Sequence, residues 1–131
     1  ALTQLAIDFF SQTATTDNRL LRRMVRDNQF RKHPPLQTLR RWPSVLRGEA
    51  HWIFPYQHLA DAVFNSALDH ELAILKPFAA ALLNEIKPTD PEYAEARRLS
   101  GILHCFVALA HDDVPGDSIL REYIGGSRLD Y

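Results

Sequence analysis

Arg19, Arg22, Arg23 and Arg26 stand in the run DNRLLRRMVRD at the spacing i, i+3, i+4, i+7. On a helix this spacing gathers four guanidinium groups within an arc of about 100°. Every close pair on that face is a like-charge pair, unfavourable by about 0.2–0.5 kcal/mol in an isolated helix. The carboxylates nearest in sequence, Asp17 and Asp27, fall off the arc, so no acid within the run answers the arginines. Such a face is complementary to an anion. All four residues are arginine rather than a mixture with lysine, and the planar guanidinium fork suits bidentate contact with phosphate or carboxylate oxygens. Arg31, Arg40, Arg41 and Arg47 follow closely. The plainer reading of any charge run is a solvated helix surface.

Other chemistry is thinly represented. His33, His51, His58, His70, His104 and His111 form neither an HExxH pattern nor a His/Cys pairing at ligand spacing, so no metal site is expected. His104 and His111 read as helix-surface or half-buried residues, and Asp112-Asp113 as a solvated helix end. There is no GxxxxGK[ST] loop, no GxSxG and no defensible Ser/His/Asp set, so no catalytic residue is assigned. Cys105, in the apolar run ILHCFVALA, reads as a core thiol. As the single cysteine it excludes an internal disulfide and fits a reducing cytoplasm.

Net charge conceals a division along the chain. The total is −1, yet residues 17–49 hold nine Lys/Arg against three Asp/Glu, a local +6, and the remainder holds six against thirteen. This polarity suits one anion-binding surface better than diffuse nucleic-acid affinity. With 131 residues, 46% of them hydrophobic, the chain is one domain or a piece of one. No stretch approaches the roughly 18 apolar residues of a membrane span, and ALTQLAIDFF lacks the basic region and cleavage site of a signal peptide. A soluble cytoplasmic protein with no membrane partner is expected.

The elements that must position the arginines follow from patterning. TQLAID, residues 3–8, alternates roughly like a strand, and SQTATTD leads into a helix of about 17–31 with Thr16 or Asp17 as N-cap. Leu20, Leu21, Met24 and Val25 give that helix an apolar side opposite the arginines. Pro34-Pro35 ends it. Leu36 to Arg41 restarts a helix, which Trp42-Pro43 breaks or begins anew. Residues 44–60 are aromatic-rich, but Gly48 and Pro55 leave them without a regular assignment, and DAVFNSAL, 61–68, reads as a strand. Two amphipathic helices, Glu71 to Ile86 and Pro91 to Ala110, should form a hairpin. Their buried stripes are Leu72, Leu75, Ala79, Leu82, Leu83 and Ile86, then Leu99, Ile102, Leu103, Phe106, Val107 and Ala110. A short helix at 118–124, capped by Asp117 or Ser118, stops at Gly125-Gly126. The fold class is mainly α with two short β-strands.

These residues carry a resemblance. TTDNRLLRRMVRD resembles the lid segment of the uridine kinase and phosphoribulokinase group of P-loop kinases, in which a DxRLxRRxxRD pattern recurs. The likeness continues through LRRWPSVLRGE, WIFPYQHLADAVFNSAL, HELAILKPFA, PEYAEARRL and SILREYIGGS, from Ala1 nearly to Tyr131, and is to the C-terminal part of a bacterial uridine kinase-like branch. It implies that 1–68 is the C-terminal portion of an α/β P-loop kinase domain, with late strands at 3–8 and 61–66, and that 69–131 is a helical appendage. It also implies that Arg19, Arg22, Arg23, Arg26 and Arg31 meet the phosphates of ATP, with Mg²⁺ and a hydroxyl acceptor such as uridine bound by the longer protein. The phosphate loop, the Mg²⁺ ligands and the acid that activates the acceptor would lie upstream, leaving these 131 residues inactive alone. Two positions depart from the pattern: Lys32 follows Arg31 where related sequences carry glycine, and Leu46 replaces an arginine. The alternative is a non-enzymatic helical interaction module whose basic face docks an acidic partner or nucleic acid. Unpaired strand edges would favour self-association into a homo-oligomer.

Overall fold

The computed structural model describes the backbone of residues 5–6 and 12–129 and the side chains of 14–129. Five helices make up the described fold: α1 (Thr15–Arg31), α2 (Pro35–Trp52), α3 (Glu71–Asn84), α4 (Tyr93–His104) and α5 (Arg121–Ile124). The chain is mainly α. Its two described strands, β1 (Leu5–Ala6) and β2 (Gln12–Thr13), form a two-residue antiparallel pair. The remainder of the strand expected at 3–8 lies outside the described residues.

α1 is the hub, packing on α2, α3 and α5. Leu20, Leu21, Met24 and Val25 are buried as their spacing predicts, but so are Asp17, Asn18, Arg22 and Asp27, because neighbours cover the helix on several sides. The helix starts at Thr15 behind Ala14, with no side-chain cap. Asp17, expected as a cap, instead accepts two hydrogen bonds from Arg98 of α4, at 2.7 and 2.9 Å. It lies in the first turn of α1, where the macrodipole favours a carboxylate. At the other end Lys32 takes φ 56° and ψ 28°. This is the left-handed conformation that glycine adopts freely and that costs an L-residue about 1–2 kcal/mol.

α2 corrects the expectation of a break at Trp42-Pro43, running unbroken through Pro43 and Gly48. Pro43 is exposed, while Thr38, Leu39 and Trp42 are buried just before it and Glu49 just after. Packing on both sides of the proline offsets an interior penalty of about 3 kcal/mol. A 3-10 stretch, Phe54–Leu59, follows. Residues 61–68 then form no strand, which overturns the β reading of DAVFNSAL. β-branched content favours a strand only where a neighbouring strand takes its backbone groups, and β1 pairs with β2 instead.

α3 and α4 pack together as the hairpin expectation requires, and every predicted α3 stripe residue is buried. α4 ends at His104 rather than Ala110, and Val107 is 82% exposed. The cause lies in α3. Pro77 has no N–H to give the Ala73 carbonyl, so that acceptor is free, and Leu109 N–H donates to it at 3.1 Å. Lys76 Nζ donates to the Phe106 carbonyl at 2.6 Å. The segment after α4 is thereby held against α3 in a non-helical course. Cys105, expected in the core, is exposed, because the buried stripe of α4 passes through Leu99 and Leu103. The last helix begins at Arg121, later than expected, and stops at Gly125 (φ 88°) and Gly126 (φ 74°).

One hydrophobic cluster runs through the whole helical assembly, with Leu20, Leu21 and Met24 meeting Leu72, Leu75, Leu99, Leu103 and Leu120. No described helix is long and apolar enough to cross a membrane.

Candidate functional site

Arg19, Arg22, Arg23 and Arg26 line a single cleft of about 270 Å³. Helix periodicity brings the four to one side of α1, and the opposite wall comes from Trp42, Val45 and Glu49 of α2, Ser66 of the extended segment and Tyr123 of α5. Four guanidinium groups and one carboxylate therefore face the space. Arg31 lies outside this cleft and borders a second recess farther along α1.

The arginines are answered, contrary to the sequence expectation, by acids from other elements and by Asp27 of α1 itself. Arg19 makes a paired contact with Glu49 of α2, one arm at 2.8 Å. Arg22 pairs with Glu71 at the start of α3, in a site where the two side chains are 7% and 0% exposed. Asp27, placed off the arc by its position, is reached by the long side chains of Arg23 (3.3 Å), Arg26 (3.4 Å) and Arg31 (3.2 Å). Arg26 also approaches Glu122 of α5 at 3.6 Å.

These pairs divide into two kinds. Arg22 is a fixed strut: it also donates to the Ser66 carbonyl at 2.6 Å and to Ser66 Oγ at 3.2 Å, and its guanidinium lies 5.5 Å from the Tyr123 ring centroid. Glu71 in turn accepts Leu68 N–H at 3.1 Å, closing the extended segment onto α3. Among the described residues the buried atoms Arg22 Nε and Glu71 Oε1 have no hydrogen-bond partner, so the strut carries unused polar capacity. Arg23 and Arg26 are different. Their side chains are 32% and 27% exposed and their contacts are long. Asp27 is itself buried but is shared by three guanidiniums, so each single contact on the solvated arginine side is worth about 0–1 kcal/mol and can be exchanged for a better anion. Arg19, 32% exposed, is intermediate because its contact with Glu49 is two-pronged.

Burial pushes the Tyr123 phenol above its ordinary range, a shift that the nearby Arg22 charge partly opposes. The native state then holds this proton more tightly than the unfolded chain. Its contribution to stability is complete below about pH 10 and is lost as pH rises through the native pKa. The urea midpoint should therefore fall between pH 9 and pH 11, and Tyr123→Phe should flatten that fall; an unchanged slope in the variant would remove Tyr123 as its source.

Glu49, Glu71, Ser66 and Tyr123 carry no motif that marks them as partners of the arginines. Pairing of residues so far apart in sequence is set by helix packing alone. Among the described residues no three His, Cys, Asp or Glu side chains gather as a metal site. No protein-family model, curated protein or solved structure matches this chain. The functional reading thus rests on the motif run and the cleft that its residues line.

Proposed function

We propose that this chain supplies the donor-phosphate-binding arginine segment of a uridine kinase-like, ATP-dependent phosphotransferase of the P-loop kinase group. The observation that carries the reading is the cleft itself: the four arginines of the DxRLxRRxxRD pattern converge on one space, with Arg22 buried as a strut and Arg23 and Arg26 left exchangeable. Triphosphate oxygens entering the cleft would draw Arg23 and Arg26 away from Asp27 and Glu122. The bound guanidiniums neutralise charge on the donor as its γ-phosphoryl group passes to a hydroxyl acceptor, the electrostatic part of phosphoryl transfer.

In this reading residues 1–68 belong to the kinase domain and 69–131 to its helical appendage. The phosphate loop and the base that activates the acceptor belong to another part of a longer protein, since GxxxxGK[ST] does not occur in these residues. The resemblance assigns Mg²⁺ binding there too. The test is calorimetric titration of the 131-residue chain with inorganic tripolyphosphate, alongside an assay of ATP-dependent uridine phosphorylation. Binding without turnover is expected. Robust turnover would overturn the division of labour, and absence of anion binding would overturn the phosphate reading.

One observation favours a second reading. Trp52, Ile53, Phe54, Tyr56, Leu59, Val63 and Phe64 are between 48% and 84% exposed within a single stretch of chain. Apolar exposure on that scale suits a macromolecular contact, and a helical interaction module would need nothing more. Binding of an RNA oligomer with a steep salt slope, and none of tripolyphosphate, would place that reading first.

A further inference from the structure

One wall of the arginine cleft carries a charge of the wrong sign for an anion site. Trp42, Val45 and Glu49 recur at i, i+3 and i+7 on α2, which puts them on one face of that helix, and all three border the cleft. Trp42 is buried at 8% exposure, and Glu49 continues the same stripe at 5%, where helical patterning calls for an apolar side chain. A carboxylate so placed is costly unless it is paired. Arg19 supplies the pair: both terminal nitrogens of its guanidinium turn to the two Glu49 oxygens, one of them at 2.8 Å.

The backbone fixes where this carboxylate stands. Thr38, Leu39 and Trp42 are buried where α2 packs on α1, and the Glu49 carbonyl still accepts Ile53 N–H at 3.0 Å near the end of the helix. Taking Arg19 away from Glu49 would leave a buried carboxylate unpaired, which is the expensive way to free a guanidinium.

Charge is therefore graded along the cleft. Toward its Arg19 end, Arg19 is matched by Glu49 and Arg22 by Glu71. Toward the other end Arg23, Arg26 and Arg31 share the single Asp27 carboxylate, and Glu122 approaches Arg26 only at 3.6 Å. Uncompensated positive charge thus gathers around Arg23 and Arg26. From Arg26 back to Arg19 is about 10 Å along α1 at 1.5 Å per residue. A compact anion seated on Arg23 and Arg26 stays clear of Glu49, whereas an extended one runs toward it.

We propose that Glu49 is a specificity-determining residue of the cleft: it reserves Arg19, confines a bound anion to the Arg23 and Arg26 half, and so penalises polyphosphate chains that extend beyond that half. The proposal rests on the reading of the cleft as a phosphate site and adds what limits the length of its ligand.

The experiment titrates the parent chain and Glu49→Gln with orthophosphate and with inorganic tripolyphosphate, at a temperature where both proteins are folded by circular dichroism. Glutamine keeps the volume of the side chain and one acceptor for Arg19 while removing the charge. A freed guanidinium that gains one charge-assisted hydrogen bond supports about tenfold in affinity, so Glu49→Gln should tighten tripolyphosphate binding by about that factor. Orthophosphate, held near a Debye length from position 49, should gain no more than about twofold. Glu85→Gln makes the same one-unit change at an exposed residue away from the cleft, and should move neither affinity by more than about twofold. Adding Arg19→Gln to Glu49→Gln should return tripolyphosphate affinity to the parental value. The parent chain gives a readout that needs no variant to fold: in side-chain nitrogen NMR spectra tripolyphosphate should shift the Arg23 and Arg26 signals and leave that of Arg19 in place. Where tripolyphosphate binds, an equal gain for both anions, no gain in Glu49→Gln, or an Arg19 shift as large as that of Arg23 overturns the role of Glu49 and leaves the phosphate reading standing. Absence of binding by both the parent and Glu49→Gln overturns both.

Discussion

Arg22→Met is expected to lower the stability of this chain by about 3–5 kcal/mol, because it removes the only cation paired with the fully buried Glu71 carboxylate among the described residues. Arg22 also carries two contacts to Ser66, and the Ser66 carbonyl would lose the donor that meets it at 2.6 Å. For a domain of this length the melting temperature should fall by roughly 10–20 °C. The companion variant Arg22→Met/Glu71→Leu should recover much of the loss, since replacing both members of a buried pair with apolar groups removes the stranded charge. Arg23→Met serves as the contrast. Its partner lies at 3.3 Å and its side chain is 32% exposed, so a change within about 1 kcal/mol is expected. If Arg22→Met and Arg23→Met melt together near the parent temperature, Arg22 is not a strut and the distinction between fixed and exchangeable arginines collapses.

That distinction marks where the sequence is legible and where it is not. Leu20, Leu21, Met24 and Val25 declare α1 through local periodicity, and the same periodicity places Arg19, Arg22, Arg23 and Arg26 around one cleft. Both facts are intrahelical. Most of the partners are not: beyond Asp27 on the same helix, Glu49, Glu71 and Glu122 arrive from α2, α3 and α5, and nothing in residues 17–31 signals them. A like-charge face that reads as unsatisfied in the isolated helix is thus largely satisfied by tertiary packing. The misplaced end of α4 has the same origin. The run from Cys105 to Ala110 is apolar enough to continue a helix, and what ends it is a carbonyl on α3 that Pro77 leaves open for Leu109 N–H. DAVFNSAL shows the converse, strand composition without a strand beside it. Periodicity reports what one element wants, and element ends and charge partners depend on which neighbours reach it.

Because Arg22 is a strut, the phosphate reading is tested at Arg23 and Arg26. The variant Arg23→Glu/Arg26→Glu should fold, since both side chains are partly solvated and neither contributes to the apolar cluster. It should nevertheless bind tripolyphosphate at least a hundredfold more weakly than the parent. Each charge-assisted hydrogen bond to an anion is worth about 1.5–3 kcal/mol, so losing two already accounts for about 3 kcal/mol before the repulsion of two new carboxylates is added. Asp27 would keep Arg31 at 3.2 Å but face two new carboxylates, and Glu122 would lose Arg26, so a modest fall in melting temperature is expected. The decisive comparison is therefore affinity at a temperature where both proteins are folded by circular dichroism. Arg40→Glu/Arg41→Glu controls for net charge, because it changes the charge by the same four units and neither residue lines the cleft. If Arg40→Glu/Arg41→Glu weakens tripolyphosphate binding as much as the reversal at Arg23 and Arg26 does, the anion responds to overall charge. If only the reversal at Arg23 and Arg26 does so, those two act locally, as a donor-phosphate clamp must.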